Sequence, residues 1–121
     1  MPNDELPAVP SVERYKDAFR QLEDSLNDKH MTMLKAHYNA PNHTITATEI
    51  AEQVGYTSFR GINSLYGNLA KTIREVMQYH EPGVRLAVFS FFNKPTGSRA
   101  EHWQLIMHDN VARALEELGW V

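Results

Sequence analysis

Apolar and polar positions separate most cleanly along residues 58–79. The apolar residues recur at steps of three and four, the spacing of one buried helical face; they are Ile62, Leu65, Tyr66, Leu69, Ile73, Val76 and Met77. Polar and small residues repeat on the other side at similar steps; they are Arg60, Ser64, Gly67, Lys71 and Arg74. The pattern predicts one long helix with an apolar inner face and a basic outer face.

Earlier residues predict three more helices. The same periodicity predicts helices over residues 12–27 and about 28–39, the second ending before Pro41 because the residue preceding a proline avoids helical geometry. Between 41 and 46 we expect only a polar connection. Thr46 and Glu49 then fit a capping box, which predicts a short helix that ends at Gly55. With Ser58 capping the long helix, residues 46–79 are typical of a helix-turn-helix.

After Pro82 and Gly83 the periodicity changes to that of strands. Residues 85–92 and 102–107 predict a two-stranded hairpin whose tip, 93–101, is rich in turn residues. A last helix is predicted over 109–118, capped by Asp109 and ended by Gly119, with Trp120 and Val121 folding back onto the body. The predicted fold is α+β: a winged helix-turn-helix forming a single domain over 11–121, after a flexible, proline-bearing lead-in at 1–10.

Composition and charge change this picture modestly. The chain has 121 residues, 42% of them hydrophobic, and no cysteine, which excludes disulfides and thiolate metal sites. No run reaches the roughly 20 apolar residues of a membrane helix, and the N-terminus lacks a signal-peptide pattern, so we expect a cytoplasmic protein. The net charge of −3 disfavours a strong polyanion binder, but residues 58–80 carry three basic side chains and one acidic side chain.

The basic face suggests contacts with double-stranded DNA. Residues near its start would reach base edges, and the remaining cations would meet phosphates. The candidate base readers are Arg60, Asn63 and Ser64; the candidate phosphate contacts are Lys71, Arg74 and the hairpin-tip residues Lys94 and Arg99. Gly67 and Tyr56 are further candidates, for close backbone approach and for apolar contact with a base. The pattern leaves open that the face is simply solvated and that Gly61 and Gly67 pack internally. Phe59 and Tyr66 are predicted to belong to the core.

Other chemistry has little support in the sequence. Six histidines occur, but none stands in an HExxH motif, and no carboxylate completes a site with His30 and His37. No GxSxG elbow or glycine-rich phosphate loop is present. We therefore expect no catalytic residues, no metal, no cofactor and no enzymatic activity.

A family resemblance points the same way. The segment 46–73 reads TATEIAEQVGYTSFRGINSLYGNLAKTI, and the tail 112–121 reads ARALEELGWV. Both resemble the small N-terminal domain of some HNH-type, modification-dependent restriction endonucleases, through Ala51, Gly55, Tyr56, Phe59, Asn63, Tyr66, Gly67 and Leu69. Arg60, Ile62 and Ala70 depart from that pattern. The resemblance, over roughly 33–121, implies a DNA-binding module that senses modified cytosine. The sequence shows no HNH segment, so DNA cleavage is not implied.

Two alternatives remain open at this stage. A winged-helix fold also serves in protein–protein interaction, with the acidic first helix or the hairpin as the docking surface. The other alternative is a homodimeric regulator that binds a palindromic DNA sequence. Its dimer interface would be the exposed part of residues 12–27.

Overall fold

A computed structural model describes residues 9–79, 85–93 and 103–121. The fold is α+β and mainly helical. Its helices are α1 (Val12–Leu22), α2 (Asp28–Asn39), α3 (Ala47–Val54), α4 (Phe59–Met77) and α5 (Asp109–Leu118), and its strands are β1 (Thr44–Thr46), β2 (Ser90–Asn93) and β3 (Gln104–Met107). Short 3-10 turns occupy Glu23–Ser25, Pro41–His43 and Arg85–Val88. Among the described residues, no helix combines the length and apolar character needed to cross a bilayer.

The helix ends follow local chemistry. The predicted capping box is present: the Thr46 hydroxyl accepts from the Glu49 amide, and the Glu49 carboxylate accepts from the Thr46 amide. Gly55 ends α3 with a φ of 98°, which a residue with a side chain rarely adopts. The Ser58 side chain caps α4. Residues 55–58 thus join α3 to α4 by a short turn, as the sequence predicts.

Some predicted bounds and one predicted cap residue were wrong. The first helix ends at Leu22 and continues only as a 3-10 turn. The strand predicted over 85–92 begins at Ser90, because Val88, Phe89 and Ser90 are all buried, and successive strand residues would alternate between two faces. The residue at the N-cap of α5 is His108 rather than Asp109, and it makes no side-chain cap hydrogen bond.

The sheet has three antiparallel strands in the order β1-β3-β2, not the two predicted. β3 lies in the centre: Leu105 faces Ile45 of β1 on one side and Phe92 of β2 on the other. The expected polar connection therefore contains a strand. β1 has one apolar residue between two threonines, so it is too short to show the alternation of a strand in the sequence. It forms because it pairs with β3.

The core lies between the helices and one face of this sheet. Its largest side chains are aromatic: Phe19 of α1 contacts Phe89, and Tyr66 of α4 contacts Phe89 from another side. Trp120 folds back as predicted, with its ring centroid 5.4 Å from that of Phe19. Val121 does not follow it and is 38% exposed. The inner face of α4 closes this core, which fixes how its outer face is presented.

Candidate nucleic-acid interface

The inner and outer faces of α4 are sorted as the periodicity predicts. The buried residues are Ile62, Tyr66, Leu69, Ala70, Ile73 and Met77, while Leu65 and Val76 are half-buried. Four candidate contact residues, Arg60, Asn63, Ser64 and Lys71, are exposed on the other side. The structure therefore brings all three candidate base readers and one candidate phosphate contact to one helix surface.

Arg60 and Lys71 lack ion-pair partners within the described parts of the chain. No described carboxylate lies within ion-pairing distance of Arg60 or Lys71. The first turn of α4 contains no acidic residue and holds Arg60 instead. A cation at that end opposes the helix dipole, at a cost of about 0.3–1 kcal/mol. An anion supplied by a partner would remove this repulsion.

Arg74 differs from the other cations of α4. It is half-buried near the C-terminal end, with its guanidinium carbon 5.1 Å from the centroid of the Tyr79 ring. A guanidinium at this end suits the helix dipole, and a ring contact steadies it. The residue thus has a structural role at the end of α4 beside the one predicted for it.

The two glycines of α4 have different surroundings. A Cβ on Gly61 would lie 3.0 Å from Cγ of Tyr56, so this glycine is explained by internal packing. A Cβ on Gly67 would meet nothing within 4 Å. Gly67 stands in the helix interior, where glycine costs about 1 kcal/mol relative to alanine, and no described neighbour accounts for it. The space beside Gly67 would admit a close-lying partner.

Tyr56 is half-buried rather than exposed at the turn. One part of its ring lies against Gly61, and the ammonium of Lys29, from the first turn of α2, lies 4.7 Å from the ring centroid. The phenol ring therefore joins the turn to both α2 and α4. Phe59, predicted to be core, is also half-buried, and Tyr66 is fully buried.

A buried hydrogen-bonded chain orients α4 relative to the sheet. Nε2 of His37 donates to the Leu105 carbonyl of β3 at 3.0 Å, because a carbonyl can only accept. Nδ1 is then an acceptor, and the Tyr66 hydroxyl donates to it at 2.8 Å. Burial lowers the pKa of His37 to about 4 and raises the pKa of Tyr66 well above its ordinary value. The neutral ring thereby connects α2, α4 and β3.

The C-terminal end of α4 is held from α1. The Arg14 guanidinium donates to the Met77 carbonyl at 2.7 Å, satisfying a carbonyl that the helix leaves without a partner. Sequence reasoning missed this contact and the His37 chain. His37 did recur on the apolar face of α2, but its partners lie 29 and 68 residues away, so no local signal identifies them.

The outer face of the sheet is partly apolar. Phe91 of β2 is 58% exposed, pairs across the ladder with Ile106, and packs edge-on against His108 at 4.3 Å. Nε2 of His108 donates to the Ala87 carbonyl, and Nδ1 is buried without a hydrogen-bond partner among the described residues. Burial lowers the pKa of His108. The predicted hairpin-tip contacts Lys94 and Arg99 lie outside the described residues.

Other ligand chemistry has no assembled site in the described parts of the chain. No group of three or more histidines and carboxylates there could hold a metal ion. An open groove of about 290 Å³ between α2, β1 and α3 is lined mainly by Asn39, Thr44, Glu49, Gln53 and small apolar residues, without a buried nucleophile or base. The basic face of α4 is the stronger candidate surface.

Comparisons with known proteins were made at three levels. A scan against protein-family models, a search of curated proteins and a search of solved structures find no match to this chain. What the chain does is therefore inferred from the geometry of its own residues.

Proposed function

We propose that this chain is a winged-helix module that binds double-stranded DNA through the outer face of α4. The observation that carries the proposal is the pair of exposed cations, Arg60 and Lys71, without a described ion-pair partner on a helix whose other side closes the core. Electrostatic attraction to phosphates supplies most non-specific DNA affinity, and cations that no carboxylate neutralises contribute most to it.

The chain order supports the winged-helix assignment. β1 stands between α2 and the helix pair α3–α4, and it pairs with β3 of the later hairpin. A short turn containing Gly55 joins the two helices, as in helix-turn-helix proteins. In such proteins the second helix enters the major groove, which assigns that role to α4.

The residues of α4 divide by position into two roles. Arg60, Asn63 and Ser64, near the N-terminal end, would contact base edges, where arginine pairs with guanine and asparagine with adenine. Lys71, further along the helix, would meet a phosphate. Gly67 lies between them and would let the phosphate backbone approach the helix closely. The resemblance to restriction-associated domains adds 5-methylcytosine as the base modification to test.

A titration of labelled duplexes tests the proposal directly. Matched duplexes with and without 5-methylcytosine are titrated at low and at moderate salt, and affinity is expected to fall as salt rises, by about 0.9 log units per log unit of salt for each phosphate contacted. Absence of binding at about 0.1 mM protein in low salt contradicts DNA binding, because even non-specific binders reach that range. Equal affinity for both duplexes removes only the modification preference.

A second function, docking of a protein partner or of another copy, is favoured by Phe91. Its 58% exposure on β2, an edge strand of the described sheet, leaves an apolar side chain beside unpaired backbone groups. Phe91→Ser separates the two functions: partner capture or self-association, measured by light scattering, falls if this surface docks a protein, whereas duplex affinity changes little if α4 alone binds DNA.

A further inference from the structure

We propose that Lys29 is an additional phosphate-binding residue of this surface, positioned by Tyr56 and Gly61. The inference rests on the proposed DNA binding through α4 and extends it to a second helix, α2. It assigns the ligand as a backbone phosphate of the same duplex, at the N-terminal end of α4.

Lys29 is held in place by an aromatic ring and not by a carboxylate. Its ammonium lies 4.7 Å from the centroid of the Tyr56 ring, within the range of a cation–π contact. No described carboxylate pairs with it. Because a ring face attracts the charge without neutralising it, the exposed ammonium keeps its positive charge for an external anion.

The placement of Lys29 on α2 is costly without such a partner. It stands in the first turn of that helix, where the helix dipole disfavours a cation. Asn27 and His30 already satisfy the capping box of this turn, so Lys29 contributes nothing to the cap. The ring contact is the interaction that the structure shows for its charged end.

Gly61 places the Tyr56 ring where it can reach both helices. The position of a Cβ on Gly61 lies 3.0 to 3.3 Å from three ring atoms, closer than side chains normally pack. The missing side chain therefore lets the ring lie close against the first turn of α4. The Lys29 ammonium therefore contacts the same ring as the first turn of α4, which carries Arg60. Two exposed cations from different helices thus border the same end of α4.

Lys29→Ala and Lys35→Ala form a matched pair for testing this role. Both lysines are exposed on α2, but only Lys29 lies over Tyr56. Loss of one phosphate contact is expected to weaken duplex binding about eightfold at 0.1 M salt and to reduce the salt slope by about 1. Lys35→Ala should leave both quantities nearly unchanged.

Substitutions at the ring test the positioning role. Tyr56→Phe keeps the ring and should retain affinity within about twofold, while Tyr56→Leu removes the ring face and should approach the loss caused by Lys29→Ala. Gly61→Ala should displace the ring; in the free protein, the ring-current shift of the Lys29 side-chain protons should then diminish. Thermal unfolding of each variant shows whether the fold is retained.

The outcomes separate the two proposals. If the wild-type chain binds duplex but Lys29→Ala and Lys35→Ala behave alike, the role of Lys29 is overturned and binding through α4 stands. If Lys29→Ala weakens duplex binding but leaves the salt slope unchanged, Lys29 contacts no phosphate, and its proposed role is again overturned. If the wild-type chain binds no duplex, both proposals fail together. An eightfold loss with the reduced slope, confined to Lys29, supports the assignment.

Discussion

α4 and α5 are both amphipathic helices packed on the same core, but they use their charges differently. On α5, Glu117 pairs with Lys16 of α1 at 2.9 Å, and Glu116 accepts a hydrogen bond from Tyr38 of α2. On α4, the exposed Arg60 and Lys71 have no ion-pair partner among the described residues. The charges of α5 join elements of the fold, whereas two charges of α4 face outward.

The two helices are also held to the rest of the fold by different kinds of contact. The buried chain from Tyr66 through His37 to the Leu105 carbonyl ties α4 to the sheet. α5 is tied to α1 by an ion pair that water screens. Ion pairs near the surface contribute little to stability, whereas breaking a buried hydrogen bond leaves a polar group without a partner and costs more. The polar contact that relates α4 to the sheet is therefore buried, whereas the ion pair that relates α5 to α1 lies near the surface.

Charge reversal should distinguish the two outer faces most strongly. Arg60→Glu with Lys71→Glu is expected to weaken duplex binding by at least about 60-fold at 0.1 M salt, because a base contact and a phosphate contact are both replaced by repulsive carboxylates. That factor corresponds to about 2.4 kcal/mol. The control is Arg20→Glu with Arg113→Glu on α1 and α5, which makes the same change in net charge. Similar losses in both double variants, measured by fluorescence anisotropy, would show that net charge alone controls binding.

Acid should act on the anchor of α4 before that of α5. The folded pKa of His37, about 4, lies below its ordinary value of 6.5, so the unfolded chain takes up the proton first. The contribution of neutral His37 to the free energy of unfolding is therefore complete above pH 6.5 and is lost as the pH falls toward 4. We expect the free energy of unfolding to drop by about 2 kcal/mol between pH 6.5 and 5 from this residue.

Urea unfolding at several pH values measures this dependence. The pKa of His108 is also lowered by burial, so it adds to the total slope. The His37→Gln variant should reduce the pH dependence of the free energy of unfolding by the part that His37 contributes. The Lys16 contact lowers the pKa of Glu117, so the α5 anchor weakens only below the ordinary carboxyl range. An unchanged slope in His37→Gln would contradict the buried, neutral state of His37.

Tyr66→Phe removes the donor to His37 and leaves every other part of the Tyr66 side chain in place. The buried Nδ1 of His37 then lacks a partner, and we expect a loss of about 1.5 kcal/mol in the free energy of unfolding. Duplex affinity should also fall if the chain orients α4. Tyr38→Phe, which removes the hydroxyl contact to Glu116 of α5, is the matched control and should affect stability less.

Gly67→Ala tests whether the open space on α4 serves a partner. The free protein should gain about 1 kcal/mol of stability, because alanine favours the helix and no described atom opposes its methyl group. Duplex affinity should nevertheless decrease if a phosphate backbone lies against this position. A stabilised variant with unchanged affinity would remove Gly67 from the interface.

Lys16→Ala should have the smallest effect. Lys16 pairs with Glu117 and Glu13 near the surface, so the free energy of unfolding should fall only slightly and duplex affinity should not change. Chemical denaturation and the same anisotropy titration measure both quantities. A clear loss of DNA affinity would mean that α1 belongs to the interface and that the contrast between the helices is incorrect.

Much of the local structure was predictable because its causes lie within a few residues. The capping box of Thr46, the turn at Gly55 and the two faces of α4 all follow from spacing along the chain. Other features depended on distant partners. β1 forms because Ile45 pairs opposite Leu105, and Val88 and Phe89 leave the strand pattern because both enter the core.

For the candidate site, the spacing of residues along the chain is enough to show which of them share the outer face of α4, because helical periodicity fixes direction around the axis. Which cations are paired depends instead on how distant elements pack. The tertiary structure placed Arg74 over Tyr79, left Arg60 and Lys71 without a described carboxylate, and brought Lys29 to Tyr56 from a separate helix. Pairing depends on which surfaces meet across the core, and residues far apart in the chain meet only when the helices pack.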